Sequence, residues 1–252
     1  MFQKLFSALQ NKPLYTTDGY TIAGKKPVNE DSYLIEVKKD ACLLLVADGV
    51  GGHGHGDWAS QICVQHFQEA FHKIENLNDP KTFLHEHALK VAQKVLRKHT
   101  EDPAYKNCGT TLTGFLIQEK HYYVINIGDS RTYAWHPSKG LRRLTKDHSI
   151  VQQMIDAGTL TESEAANHPY RTTMTSAIGQ AMDTIKIDIT GPYTLAEGEI
   201  LLSFSDGVHD FLTDTQISQI IASNAKSLAQ TLVEQALAAG STDNITACWL
   251  KQ

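Results

Sequence analysis

The sequence predicts an α+β fold whose strands form antiparallel sheets. Two observations carry this prediction. Strand-like and helical segments occur in separate groups along the 252 residues, without strict β-α-β alternation. In addition, acidic residues follow some strand-like segments and precede others, so they share one edge only if neighbouring strands run in opposite directions. A parallel, doubly wound sheet would separate these residues by the length of a strand.

Six segments rich in β-branched, aromatic or leucine residues predict strands. They are 33–37, 42–47, 110–117, 122–127, 200–205 and 245–250. Two long amphipathic helices are predicted between the second and third strands. The first covers 57–73, and the second begins at Pro80 with Asp79 as its N-cap.

The last helix and a polar insertion complete the prediction. The helix covers 228–239, with Ser227 and Gln230 at capping-box spacing and Gly240 as C-cap. Residues 144–179 are mostly polar and predict only short helical pieces, one of them beginning at Thr161. This segment fits either a flap that contacts substrate or a plain surface subdomain.

Composition limits the possible compartments and partners. The formal net charge of −5 provides no basic surface, so we expect no nucleic-acid partner. Four cysteines without close pairing are typical of a reducing compartment. No segment is long and apolar enough to span a bilayer, and residues 1–14 lack the features of a signal peptide, so we expect a cytoplasmic protein without stable membrane insertion.

We interpret residues 15–252 as one domain and residues 1–14 as a separate N-terminal segment. Four apolar side chains of that segment fall at helical spacing: Phe2, Leu5, Phe6 and Leu9. A short helix packed on its own domain is the favoured interpretation. A helix that docks on a partner or a membrane surface is the alternative.

Aspartates recur where strand-like segments begin or end. Asp48, Asp129 and Asp206 follow such segments, whereas Asp31 and Asp243 precede them. Each one alone is a common turn former. Together on one rim, however, five carboxylates would repel and raise one another's pKa unless cations separated them.

The type of ligand predicts which cation binds and what reaction it supports. Carboxylate oxygens without a Cys or His cluster select Mg²⁺ or Mn²⁺ over Zn²⁺. Gly49, beside Asp48, is the best candidate for a backbone carbonyl ligand. A pair of such ions can lower the pKa of a shared water and clamp phosphoryl oxygens. The pattern therefore predicts phosphoester hydrolysis.

Seven motifs, in order, resemble those of the metal-dependent Ser/Thr protein phosphatases of the PP2C (PPM) family, in particular its compact bacterial members. They are NEDS (29–32), VADGVGGHGHGDWAS (46–60), CGTTLTG (108–114), IGDSR (127–131), LTKDHS (144–149), SFSDGVHD (203–210) and STDNIT (241–246). The resemblance implies a four-layer αββα sandwich of two antiparallel sheets flanked by helices, with residues 144–179 as a flap. It also implies that a water bridging two Mn or Mg ions attacks phosphoserine or phosphothreonine in proteins, opposing a Ser/Thr kinase.

The resemblance also implies roles for individual residues. Asp48 is expected to bridge two ions, Asp206 and Asp243 to complete the shell of one, and the Gly49 carbonyl to bind the other. Glu30 and Asp31 are expected to hold the water ligands of the ions, which places Asp31 among the catalytic residues. Asp129 is expected to bind a third, weaker ion together with Asp206.

The chain departs from the family pattern at two positions. Where the family places an arginine that binds the substrate phosphate, this chain has Lys26, whose ammonium is a point charge and cannot form the two parallel hydrogen bonds of a guanidinium. Lys25 could bind the phosphate instead. Alternatively, Lys26 is simply a solvated surface charge. Where eukaryotic relatives carry a histidine proposed as general acid, this chain has Val50. His53 is the nearest group suited to proton transfer and is the candidate for a catalytic role, but hydrogen bonding within its loop or simple exposure to solvent is favoured over that role.

Two other charged residues have structural interpretations. Arg131 is expected to hold a neighbouring acid in an ion pair, with a phosphate contact as the alternative, and Asp147 to fix the base of the flap. Two other functions stay open from the sequence: a binding module of this fold without catalysis, and a phosphoesterase for nucleotides or small esters.

Overall fold

The structure is a computed structural model that describes residues 14–51 and 54–252. The predicted N-terminal helix and His53 lie outside these residues. In the part of the chain that the structure describes, no helix is long and apolar enough to cross a membrane. The four cysteines are buried and free.

Within the described residues, eleven strands form two sheets whose paired strands all run antiparallel. Sheet I has the order β1-β11-β10-β7-β8, and sheet II has the order β2-β3-β5-β6-β9 with β4 added beside β3. The strands are β1 Thr16–Ile22, β2 Asp31–Val37, β3 Ala41–Val50, β4 Gly109–Thr110, β5 Leu112–Gln118, β6 His121–Ile127, β7 Arg131–His136, β8 Gly140–Arg143, β9 Asp188–Thr194, β10 Ile200–Phe204 and β11 Ile245–Lys251.

The described helices fall into two long ones and five shorter ones. They are α1 Gly56–Lys73, α2 Pro80–Glu101, α3 Ile150–Asp156, α4 Glu162–Ala165, α5 Asp206–His209, α6 Asp214–Ala222 and α7 Leu228–Ala238, and a 3₁₀ turn follows α2 at Pro103–Tyr105. Helix α2 begins as predicted, because Asp79 caps it by accepting from the amides of Lys81 and Thr82. Helices α3 and α4 are the short pieces expected in the flap.

Three apolar clusters stack these elements into four layers. Because successive side chains of a strand point to opposite faces, Leu43 and Leu45 of β3 pack with α1 and α2. Their neighbours Cys42 and Leu44 pack in the cluster shared with β10 and β11. A third cluster joins sheet I to α5, α6 and α7. Helices therefore cover the outer face of each sheet, and the predicted α+β fold with two central antiparallel sheets is confirmed.

Four strands and one cap differ from the sequence prediction. The strands β1, β7, β8 and β9 were not predicted, because β1 and β9 contain Asp-Gly and Gly-Pro pairs that read as turns and β8 is only four residues long. The capping box at Ser227 is wrong, since its side chain forms no cap hydrogen bond. The short helix predicted to begin at Thr161 is confirmed as α4, and Thr161 and Glu164 form a capping box there.

Candidate active site

Strand pairing brings the first two acids together. Asp31 opens β2 and lies directly opposite Asp48 near the end of β3. The backbone of Asp48 is fixed, because its amide donates to the Thr111 hydroxyl at 3.0 Å and its carbonyl accepts from the Thr111 amide at 2.8 Å. The two carboxyl groups thus share one end of sheet II. Asp48 lies within β3, because that strand is longer than the sequence predicts.

Asp31 is held between the sheets by two hydroxyl groups. Its Oδ2 accepts from Ser205 Oγ at 2.7 Å and from Thr246 Oγ1 at 2.6 Å, and both donors belong to the sheet I side. Among the residues that the structure describes, the buried Oδ1 has no hydrogen-bond partner. The Asp48 carboxyl faces this Asp31 oxygen, but two carboxyl groups can form a hydrogen bond only when one of them is protonated. A buried oxygen in this position fits interaction with a cation or with a group that a cation holds.

Gly49 follows Asp48 at a point where only glycine fits. Its amide donates to the Glu30 carbonyl at 3.1 Å. A Cβ at this position would lie 2.4 Å from the Gly56 carbonyl oxygen and 2.5 Å from the Glu30 carbonyl oxygen. The Glu30 carboxylate in turn accepts from the Gly56 amide at the start of α1, at 3.1 Å. Glu30, Gly49 and the N-terminus of α1 therefore form one tightly packed unit.

Sheet I contributes the other acids at the same end of the sandwich. Asp206 opens α5 directly after β10, and Asp243 lies two residues before β11. Asp129 lies in the short connection from β6 of sheet II to β7 of sheet I. Because β10 pairs antiparallel with both β7 and β11, the end of β10 meets the beginnings of the other two strands. The structure therefore brings all five predicted aspartates to one rim.

The pKa values of four rim aspartates are raised by burial and by their acidic neighbours. Burial and then neighbouring acids raise the pKa of Asp48 and of Asp206 well above the usual range, with Asp31 first among the neighbours of Asp48 and Asp129 among those of Asp206. Burial is also the main cause that raises the pKa of Asp31 to about 6 and that of Asp129 to about 7. Within residues 14–51 and 54–252, no three His, Cys, Asp or Glu side chains stand close enough to hold an ion as they are. The carboxylates converge without closing on one point, as expected when like charges repel.

Arg131 and Asp147 form an ion pair, as the sequence predicts. Arg131 Nη2 lies 2.7 Å from Asp147 Oδ2, and Arg143 binds the other carboxylate oxygen. Although burial alone would raise it, the pKa of Asp147 is lowered because the two arginines outweigh burial. Asp147 therefore fixes the base of the flap. Its negative charge is the second cause, after burial, of the raised pKa of Asp129.

Lys26 lies at the rim, where it contacts one of the predicted metal ligands. Its Nζ is 3.2 Å from Asp243 Oδ1, and both side chains are about half exposed. A neighbouring cavity of about 240 Å³ lies between the flap and the rim, with Asp129, Asp206 and Arg171 in its lining. The site is thus open to solvent on the Lys26 side and continues beneath the flap on the Asp129 side.

The sequence analysis missed residues that hold the acids in place. Asn244 accepts from the Glu30 amide at 2.8 Å and donates to the carbonyls of Ala23 and Val28 at 3.0 Å. His148 accepts from the Gly128 amide at 3.2 Å and lies 3.0 Å from Asp188, which fixes the backbone beside Asp129. Both residues stand inside motifs that the sequence analysis quoted, so the signal was present, but their partners are distant in the chain.

The family to which the sequence is matched is consistent with this arrangement of acidic residues. The family model for protein phosphatase 2C matches residues 19–240. The chain belongs to the protein phosphatase 2C family. It is therefore a serine/threonine protein phosphatase that acts on phosphoproteins, and the resemblance inferred from its motifs is confirmed.

The relatives and solved structures described below, to which this PP2C chain is similar, are bacterial phosphatases. Protein phosphatase PhpP of Streptococcus pneumoniae is 33% identical over 232 residues, which cover 90% of this chain and 93% of PhpP. The serine/threonine phosphatase of S. agalactiae has a TM-score of 0.86 at 28% identity and covers 94% of this chain and 99% of its own. The catalytic domain of PstP, solved in complex with two manganese ions, has a TM-score of 0.80 at 25% identity, covering 94% and 97%.

The raised pKa values predict how stability of the metal-free PP2C chain depends on pH. A carboxyl whose pKa is higher in the folded than in the unfolded state binds protons preferentially when folded, so its contribution to stability is lost as pH rises. For Asp31, whose folded pKa is about 6, that window runs from about pH 4 to 6. We therefore expect Asp31→Asn to flatten the fall in Tm over this window in chelated protein. An equal slope in wild type and variant would contradict the assignment.

Proposed function

We propose that this phosphatase hydrolyses phosphoserine and phosphothreonine with two Mn²⁺ or Mg²⁺ ions held at the acidic rim. Asp48 would bridge the ions, Asp206 and Asp243 would complete the shell of one, and the Gly49 carbonyl would bind the other. The observation that carries the proposal is the convergence of buried carboxylates from both sheets, whose pKa values are raised by burial and by one another. Divalent cations would relieve that repulsion.

The donor set supports the proposal on chemical grounds. Carboxylate and carbonyl oxygens are the ligands that Mg²⁺ and Mn²⁺ prefer. Among the described residues the buried Oδ1 of Asp31 has no hydrogen-bond partner, and a cation, or a water that a cation holds, would be a partner of the right kind. The manganese ions of the PstP structure are consistent with this choice.

The bound ions, Asp31 and Glu30 would have separate roles in catalysis. Bound ions would supply a water of lowered pKa and charge compensation for the phosphoryl oxygens. Asp31, fixed by Ser205 and Thr246, would orient the attacking water and accept its proton, and Glu30 would hold the water ligands on the α1 side. We propose no phosphoenzyme, because all four cysteines are buried and burial raises the pKa of each thiol, which disfavours a thiolate nucleophile.

Further roles belong to the same proposal. Residues 15–252 would form the catalytic domain, with the flap guiding substrate choice, and a Ser/Thr kinase would supply the phosphoprotein. Asp129 would bind a third, weaker ion together with Asp206, beside the cavity beneath the flap. The leaving alkoxide would take its proton from His53 or from solvent.

Removal of the metal tests the proposal directly. We expect the protein to release phosphate from a phosphoserine peptide with Mn²⁺, to stop when a chelator is added, and to recover when Mn²⁺ is returned in excess. A mononucleotide assayed in parallel should be a poor substrate. Peptide turnover that persists after exhaustive chelation would refute the metal mechanism, and faster turnover of the nucleotide would favour the small-ester alternative.

Lys26 is expected to contact the substrate phosphate, since its ammonium already lies at the rim. Replacing Lys26 by alanine should raise KM for a phosphopeptide by about ten- to a hundredfold, the value of a hydrogen bond to a charged group, with a smaller effect on kcat. Lys26→Arg should lower KM, because a guanidinium binds phosphate through two parallel bonds. Steady-state kinetics on both variants measure this effect. Lys25→Ala is the matched control, and a larger effect there would transfer the role to Lys25.

A further inference from the structure

An aromatic cluster lies against the N-terminus of α1, outside the acidic rim. The rings of His55 and Tyr105 stack with centroids 4.2 Å apart and an angle of 21° between their planes. Trp58 meets Tyr105 edge-on at 5.2 Å, and Lys98 Nζ lies 4.1 Å from the centre of the same ring. We call these four residues the His55 stack. Tyr105 is its centre, since the other three all contact it.

The backbone of His55 is in a conformation that needs support. Its φ of 72° and ψ of 11° are left-handed, a conformation that is unfavourable for a residue with a side chain. His55 is the N-cap of α1, yet its side chain forms no cap hydrogen bond that would favour this conformation. Among the described residues, the ring of Tyr105 stacks on this side chain and holds it. Tyr105 itself is held by Lys98, whose Nζ also binds Asp102 at 2.9 Å.

Gly56, the residue that follows His55, packs directly against Gly49 and Glu30. A Cβ on Gly56 would lie 2.8 Å from the Gly49 carbonyl carbon and 3.0 Å from both the Gly49 carbonyl oxygen and the Glu30 Oε1. The Gly56 amide is also the donor to that Glu30 oxygen. A change in the His55 backbone therefore moves Gly56, which packs closely against Gly49 and donates to Glu30.

We infer that the His55 stack is a positioning device for the metal site. Tyr105 and His55 fix the left-handed turn into α1, and this turn sets where the Gly49 carbonyl and the Glu30 carboxylate lie. The inference rests on the proposed function for its consequence, because Gly49 and Glu30 are proposed there as a ligand and as a holder of water ligands. Tyr105 touches neither substrate nor ion, so its effect on metal affinity is indirect.

Loss of the stack should weaken metal binding. Tyr105→Ala is expected to raise the Kd for Mn²⁺, measured by titration calorimetry at one fixed pH, by about tenfold, as for other residues that orient metal ligands. Tyr105→Phe keeps the stacked ring and should restore the wild-type Kd. His55→Ala removes the ring but keeps the unfavourable left-handed conformation without its support, so it should match Tyr105→Ala. The double variant should be no worse than either single variant, because both changes break the same contact.

A matched control separates positioning from general stability. Tyr193 also pairs with a second aromatic ring and has an arginine near its face, but it lies on β9 beside Tyr122, at the end of β6 away from Asp129. Tyr193→Ala should lower the Tm of the metal-free protein without changing the Kd for Mn²⁺. If Tyr105→Ala behaves in the same way, with a lower Tm and an unchanged Kd, the positioning role is overturned.

Hydrogen exchange tests the inference independently of any ion. In chelated protein, Tyr105→Ala should speed exchange of the Gly56 amide by about tenfold or more relative to wild type, while Tyr105→Phe should not. Wild-type protein that binds no Mn²⁺ would contradict the proposed function, yet this exchange measurement would still decide whether the stack holds the turn. Unchanged exchange at Gly56 in Tyr105→Ala would overturn the inference.

Discussion

Asp48→Asn is expected to abolish phosphatase turnover and, at the same time, to stabilise the metal-free protein. Turnover should fall by about a thousandfold, because Asp48 is proposed to bridge both ions and their charge compensation is worth several kcal/mol. Stability should rise because the variant removes one buried carboxylate from a rim where burial and neighbouring acids raise its pKa. A rise in Tm of about 2–4 °C at neutral pH corresponds to ~1 kcal/mol in a chain of this size.

Two measurements and one control decide this prediction. Phosphate release from a phosphopeptide gives the loss of turnover, and thermal denaturation in chelator gives the change in Tm. Asp40→Asn is the matched control. Asp40 is exposed and directly precedes the first residue of β3, at the end of the strand away from Asp48, so the substitution should change neither turnover nor Tm. A lower Tm for Asp48→Asn would show that the carboxylate stabilises the fold without cations, contrary to the proposed repulsion.

Gly49→Ala should damage both the fold and the metal site. The added methyl group would lie within 2.5 Å of two backbone carbonyl oxygens, those of Gly56 and Glu30, and neither can rotate away as a side chain can. We expect a loss of about 3 kcal/mol, the upper end of the range for overpacking, and a weaker response of Tm to Mn²⁺. Denaturant unfolding with and without Mn²⁺ measures both effects.

The neighbouring glycine provides the control for Gly49. Gly54 has a φ of 86°, but a Cβ there would meet no atom of residues 14–51 and 54–252 within 4 Å. Gly54→Ala should therefore cost only the backbone strain, about 1 kcal/mol. Equal losses in the two variants would mean that strain in the loop, rather than contact with Glu30 and Gly56, limits substitution at Gly49.

The sequence was sufficient for the fold class and for the acids, because both depend on local patterns. The continuous apolar run of β3 and the apolar stripe of α1 identify buried segments, and Asp-Gly or Asp-Ser at strand ends identifies the rim. The direction of each strand relative to its acid then required antiparallel pairing. That inference holds in the structure, where Asp31 lies opposite Asp48.

The residues that hold the acids could not be predicted, because their contacts are long-range. Thr246 lies 215 residues from the Asp31 carboxylate to which it donates, and Asn244 lies 214 residues from the Glu30 amide that it binds. Tyr105 likewise meets His55 only because the 3₁₀ turn after α2 returns to the start of α1. No spacing rule within one element encodes such pairs.

The pairing of β1 with β11 has a consequence for synthesis of the chain. In sheet I, Thr16 pairs with Lys251 and Ile22 with Ile245, so the first described strand finds its partner only in the last one. Until β11 has been translated, β1 presents unpaired backbone groups, and the rim lacks Asp243. Such delayed pairing slows folding and exposes strand edges to other chains. A nascent polypeptide of this kind cannot gain phosphatase activity before β11 has left the ribosome.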